Sequence, residues 1–268
     1  MMRCVLHIGT EKTGSTLLQE WLYRNAKPCG KQGVYFTHSW SWPNNCSLAA
    51  AFMTTPEDML LGHRFATADA RQGFITSMLL DLREEVKHAA KTHHTMVITS
   101  EHFHSRLRHP DEVSKLADYL KSIFDEITVV CYLREQSAVR TSLYSTVVKL
   151  GGPQPLERFQ ADIDETSLYY NYETFLDRWA AAFSPEALRL RIYDRTQFLE
   201  GDIRKDFLEA SGLKLESGSL NFDTVKANES LSYLQSCVMR SINKTTPYFE
   251  PDRTPSLRNA ALRDAVLA

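Results

Sequence analysis

Hydrophobic and polar positions alternate along this chain at two different periods, and the alternation predicts an order of elements. Near the start, "CVLHI" reads as a buried strand. "STLLQEWLYRNA" then places Leu18, Trp21 and Leu22 on one helical face at i, i+3, i+4 spacing. "GVYF" reads as a short strand, and "HSWSWPNNCS" as a loop from its Pro, Asn and Ser content. Residues 55 to 72 follow no clear period. "FITSMLLDLREEVKHAAK" predicts a helix, "TMVITS" a strand, and "DEVSKLADYLKSIF" a helix with Pro110 just before its start. "EITVVCYL", rich in β-branched residues, is a strong strand. A helix at "SAVRTSLYSTVVKL" follows it, and then a break at "GGPQP".

The second half continues with a helix at "YETFLDRWAAAF", a strand at "LRLRIYD" and a helix at "DIRKDFLEASG" closed by Gly212. The last clear helix is "SLSYLQSCVMRSIN", and the Pro-containing tail from about 245 is expected to be irregular. Strands separated by helices predict the α/β class: one domain over residues 1–268, with a central parallel β-sheet flanked by helices. In such folds ligands bind beyond the carboxyl ends of the strands, which directs attention to the residue just after each one.

Composition narrows the chemistry. The 268 residues suffice for one domain with a full core, and 43% hydrophobic with 24% charged residues is ordinary for a soluble protein. A net charge of −2 offers no general attraction to nucleic acid or an acidic membrane, so an anionic ligand needs a local cluster of donors. No stretch approaches the about 20 apolar residues of a membrane span, and no secretory segment precedes the first strand. The five cysteines are scattered, without a C-x-x-C pair. Cys4 and Cys131 fall inside strand-like runs, as small buried thiols would. A reduced, cytoplasmic protein is expected.

The first strand runs into "HIGTEKTGSTLLQEWL". Gly9 and Gly14 keep the glycine spacing of an ATP-binding loop, but Lys12 stands two residues before Gly14 instead of directly after it. A strand, a glycine turn and a helix N-terminus make an anion site, with Ser15 and Thr16 adding hydroxyl donors and Lys12 a mobile positive charge. Later, "VVCYLREQSAVRTSLYS" ends a strand on Arg134 and sets Ser142 eight residues on, in the next helix. Arg134 offers a planar fork of donors suited to phosphate.

K-T-G-S-T after a first strand resembles the 5′-phosphosulfate loop of the sulfotransferases that use 3′-phosphoadenosine 5′-phosphosulfate (PAPS). The Arg134–Ser142 spacing resembles that family's 3′-phosphate grip. The resemblance implies a P-loop, nucleotide-kinase-like version of the fold. It also implies Lys12 on the phosphosulfate and Thr13, Gly14, Ser15 and Thr16 around the 5′-phosphate, with Arg134 and Ser142 on the 3′-phosphate. By a match to "LRLRIYD", Tyr193 would approach the nucleotide, and Phe222 resembles an aromatic that stacks on adenine. The cytosolic branch's late Arg-Lys-Gly segment does not occur here, and Arg240, Lys244 or a tail arginine could stand in for it. "GTEKTGS" and "NESLS" look more like bacterial members.

Sulfuryl transfer to a hydroxyl needs a cation at the bridging oxygen and a general base at the acceptor. Lys12 is the expected cation. Glu101, at the end of "HTMVITSE", is the expected base, as in several carbohydrate-modifying members. His102 and His104 just behind it read as solvated loop residues, although a histidine serves as base in the small-molecule branch. The expected products are a sulfated carbohydrate, glycoconjugate or small alcohol and adenosine 3′,5′-bisphosphate, without a metal. Trp40 and Trp42, and the segment "GGPQPLERFQADIDE", are candidate acceptor-lining positions. Two other readings remain open: a Mg-dependent P-loop nucleotide or small-molecule kinase, and a non-catalytic nucleotide-binding module.

Overall fold

The computed structural model describes every residue except 38–42, 162, 165, 224–229, 251, 253 and 268. In chain order the first elements are β1 (Arg3–His7), α1 (Ser15–Arg24), α2 (Ala26–Lys31), β2 (Val34–Phe36), α3 (Cys46–Phe52) and α4 (Ala68–Ala89). Then come β3 (Thr95–Thr99), α5 (His102–Arg106), α6 (Pro110–Lys121), β4 (Glu126–Leu133), α7 (Gln136–Lys149) and α8 (Leu156–Gln160). The rest are α9 (Tyr172–Phe183), β5 (Leu188–Ile192), α10 (Ile203–Ser211), α11 (Tyr233–Thr245) and α12 (Leu257–Leu267). The chain divides into two compact units, Met1–Arg134 with Leu168–Val225 and Glu135–Ser167 with Lys226–Ala268.

The first unit holds a five-stranded, wholly parallel sheet in the order β2-β3-β1-β4-β5, which is the α/β class the alternation predicts. Its central strands are buried on both faces, and the period of two assigns each residue a side. Cys4, Leu6, Met96, Ile98, Val129 and Cys131 face a cluster completed by Phe103, Leu116, Phe175 and Trp179. Val5, Val97, Val130 and Tyr132 face the other, completed by Leu18, Trp21 and Leu22 of α1 and Phe207 of α10. The i, i+3, i+4 stripe of α1 is thus the face that covers the sheet. Burial pushes the Cys4 and Cys131 thiols well above the usual range, as expected of apolar filler.

Among the described residues, two histidines are sealed into this unit. His7 is fully buried at the end of β1, its Nδ1 2.8 Å from Thr99 Oγ1, with the rings of Tyr132 and Phe207 edge-on. His104 is also buried, and this corrects its reading as a solvated loop residue. The short helix α5 turns it inward, against Tyr169 at 4.7 Å and Phe175 at 4.9 Å between ring centroids. His102 lies in the same helix and is half-buried.

Burial lowers the pKa of both buried rings to about 4. In the unfolded chain they take up protons near pH 6.5. Their folded values lie lower, so stability falls as pH drops from about 6.5 to about 4, and neither ring contributes further loss below that. Each should cost on the order of 1–3 kcal/mol across that window. Urea unfolding of wild type and His7→Asn between pH 7 and pH 4.5 checks this: the variant should lose part of the pH dependence. Identical slopes would refute the contribution.

The second unit packs α7, α8, α11 and α12 around Tyr144, Val148, Leu231 and Met239. Asn243 Nδ2 donates to Val148 O at 2.8 Å and Gly152 O at 3.1 Å, fastening the Gly-Gly break to α11. The tail is not irregular throughout, because α12 spans Leu257–Leu267. Ser256 starts it by accepting from the Asn259 and Ala260 amides, and buried Asn259 donates to Thr246 O at 2.7 Å. Periodicity alone gives little warning of a helix anchored by one buried amide. Among the described residues no helix is long and apolar enough to cross a membrane.

Candidate active site

The chain leaves β1 toward β2 on one side and leaves β4 toward β5 on the other. The crevice beyond the carboxyl ends of β1 and β4 is therefore a topological switch point. The ladder continues past β1 into the loop, with Thr10 N donating to Tyr132 O at 2.9 Å and Tyr132 N to Gly9 O at 2.7 Å. Buried Thr13 turns its hydroxyl inward to the Thr10 carbonyl, which leaves its backbone N–H as its donor toward a ligand.

Lys12 and Gly14 both take the left-handed region, at φ 64° and 75°, with Thr13 between them at negative φ. Such alternation turns successive backbone N–H groups into one concavity, the geometry of an anion nest. Gly14 is the N-cap of α1 and supplies no side chain to its first turn, so those amides keep their positive potential. Ser15 in that turn is buried and Thr16 exposed. A Cβ on Gly14 would lie 3.1 Å from Tyr193 Cε2 and 3.2 Å from Ile203 Cδ1, so glycine serves both conformation and space.

Arg134 meets this loop directly. Its Nη1 donates to Lys12 O at 2.9 Å, and its guanidinium lies 5.4 Å from the centroid of the Tyr193 ring. Tyr172 Oη donates to Arg134 O at 2.7 Å, and Tyr193 N to Leu133 O at 2.7 Å. Residues following β1, β4 and β5 are thus gathered at one point. Ser142 lies on α7 in the second unit, where its hydroxyl is 3.3 Å from Ser230 Oγ. The α7 N-terminus is occupied by its own cap: Glu135 accepts from Ser137 N at 2.8 Å and Ala138 N at 2.7 Å. The Ser137 hydroxyl, which donates to the same carboxylate at 2.6 Å, and these two amides hold the carboxyl below the usual carboxylate range.

Glu101 sits between β3 and α5, against the loop: a Cβ on Gly9 would be 3.1 Å from its Cα. It is the N-cap residue of α5, yet its side chain makes no cap bond. Its carboxylate turns instead to Gln19 Nε2 at 2.8 Å and Asn44 Nδ2 at 3.0 Å. The neighbouring carboxylate, Glu11, accepts from Tyr169 Oη at 2.8 Å, and burial holds that phenol above its ordinary pKa. His104 Nε2 lies 3.0 Å from Tyr169 O, so the buried ring props the tyrosine that holds Glu11.

Phe222 packs 5.3 Å from Trp21 by ring centroids, with the Arg204 guanidinium 5.2 Å from its own. Trp40 and Trp42 lie outside the described residues. Among the described residues, no three His, Cys, Asp or Glu side chains come close enough together to hold a metal ion. Sequence reasoning missed Gln19, Asn44, Tyr169 and Tyr172. Only Gln19 left a signal, as a polar residue between Leu18 and Trp21 on a helix whose flanking face is apolar.

No protein-family profile matches the chain. An uncharacterized protein of Archaeoglobus fulgidus is 33% identical over 158 residues, 59% of this chain and 41% of that protein. The chain therefore spans about two fifths of the length of the curated relative it matches. Among solved structures, a sulfotransferase from Alicyclobacillus acidocaldarius aligns over 98% of this chain and 94% of its own, at 14% identity and a TM-score of 0.43. A sulfotransferase domain from the curacin biosynthetic pathway aligns over 99% and 97%, at 11% identity and a TM-score of 0.41.

Proposed function

We propose that the chain transfers a sulfuryl group from PAPS to an acceptor hydroxyl on a carbohydrate, glycoconjugate or small alcohol. The observation that supports this reading most is the meeting of two cationic residues at the β1/β4 switch point, where Arg134 bonds to the Lys12 backbone at 2.9 Å. One nucleotide with an anion at each end suits such a pair. The amides of residues 13–16 take the 5′-phosphate, Arg134 takes the 3′-phosphate, and Tyr193 lies beside the nucleotide.

In the reaction the acceptor oxygen bonds to sulfur while the bond from sulfur to the bridging oxygen breaks. The electron pair leaves with adenosine 3′,5′-bisphosphate, and the acceptor proton passes to Glu101. Lys12 stabilises the charge that grows on the bridging oxygen, an interaction stronger in the transition state than before it. The amide-held carboxylate of Glu101 lies behind the same loop, on the side of Gly9.

Thermal unfolding with adenosine 3′,5′-bisphosphate, and separately with ATP and magnesium, tests the reading. At about 100 times its Kd a ligand adds ~2.7 kcal/mol, which for a chain of this size raises Tm by roughly 5–10 °C. The bisphosphate should give that rise. Stabilisation by ATP and magnesium alone would favour a kinase instead. Binding without release of bisphosphate from PAPS, across a panel of sugar and alcohol acceptors, would favour a non-catalytic binding module.

A further inference from the structure

The two oxygens of Glu101 are held by amides from two other parts of the chain. Gln19, 4% exposed on α1, donates to Oε2 at 2.8 Å, and Asn44 donates to Oε1 at 3.0 Å. The orientation of Asn44 is set by its other end, where Oδ1 accepts from Ser100 Oγ at 2.7 Å. Its neighbour Asn45 fastens the segment to β3, donating from its backbone N to Thr99 O at 3.0 Å and accepting from Thr99 N at 2.9 Å through Oδ1. α1, which carries Gln19, is also the helix that begins directly after the Lys12–Gly14 turn.

We infer that Gln19 and Asn44 are positioning residues that keep the Glu101 carboxylate aimed at the acceptor hydroxyl, and that α1 fixes the distance between base and nucleotide. The inference rests on the reading of Glu101 as general base. An amide N–H donates a hydrogen bond but gives up no proton at working pH, so both bonds orient the carboxylate without supplying the proton it must take. Each oxygen still has a lone pair to take the acceptor's proton. The elements packed around Glu101 bring Glu11 and Lys12 on the loop after β1, Glu20 on α1, and His102, His104 and Arg106 on α5. His104 stays neutral above about pH 4 through burial, and Glu11 is engaged by Tyr169. His102 is therefore the neighbour whose part in the reaction must be separated.

Gln19→Glu and Asn44→Asp are near-isosteric and replace a donor with a second carboxylate. Two carboxylates in contact resist joint ionisation, so the acid limb of kcat/KM should move up by about one pH unit or more. At a pH well below the wild-type limb, kcat/KM should fall about tenfold for each unit of that shift, and it should recover on the alkaline side. The KM for PAPS and the Tm rise with bisphosphate should stay as in wild type. Asn44→Asp, on a loop, carries the same prediction if Gln19→Glu does not fold. His102→Gln should keep the wild-type acid limb. An equal loss of activity at every pH, or no change, would overturn the inference, and so would a limb that disappears with His102→Gln. A wild-type chain that binds no bisphosphate and forms no product would instead overturn the sulfuryl-transfer reading itself.

Discussion

Glu101→Gln should lower kcat by about 10²–10⁴-fold, the range for removing a general base, while the Tm rise with adenosine 3′,5′-bisphosphate persists. The shape of the side chain is conserved, so the loop behind it at Gly9 need not move. Two things change. The amide oxygen takes no proton at working pH, and the new NH2 group must face either the Gln19 donor or the Asn44 donor, which now meet an acceptor on one side only. The second effect is a local loss of about 1–3 kcal/mol for one unpaired donor; the first removes the chemistry. Single-turnover assays at saturating PAPS isolate the step. Sulfation within a few-fold of wild type would remove Glu101 from the mechanism and turn attention to His102.

Lys12→Ala should cost about 10²–10³ in kcat, as for loss of one preorganised group at a developing negative charge. The loss should appear in kcat more than in the KM for PAPS, because charge on the bridging oxygen grows only as the bond to sulfur breaks. Stability is a built-in control. Alanine, like lysine, carries a Cβ and meets the same strain at φ 64°, and the carbonyl that accepts from Arg134 remains. A variant with wild-type Tm and wild-type kcat would show that the ammonium has no part in the reaction.

Much of the sheet could be read in the sequence. β1, β3 and β4 are central and buried on both faces, so they stand out as continuous apolar runs, and α9 declares itself through the spacing of Phe175, Trp179 and Phe183. Short α3 and α5 could not be read, because helices of seven and five residues are held by packing rather than by propensity. His104 was misread for the same reason: the rings that enclose it, Tyr169 and Phe175, lie far downstream. Arg134 and Tyr193 were visible because each directly follows a strand, and Lys12 and Glu101 because they lie in the short segments after β1 and β3. Gln19 and Asn44 were not, since no local window joins them to Glu101; only the fold does.

The left-handed residues at Lys12 and Gly14 have a consequence for how a ligand would arrive. A lysine in that region is disfavoured by about 1–2 kcal/mol, yet hydrogen bonds from Thr13 to Thr10 and from Arg134 to Lys12, both within the chain, stabilise it. The converging amides are set during folding, so capture of an anion calls for shedding water rather than reshaping the main chain. Association should then proceed as a single kinetic phase whose rate rises linearly with ligand concentration, with no slow conformational step to saturate it.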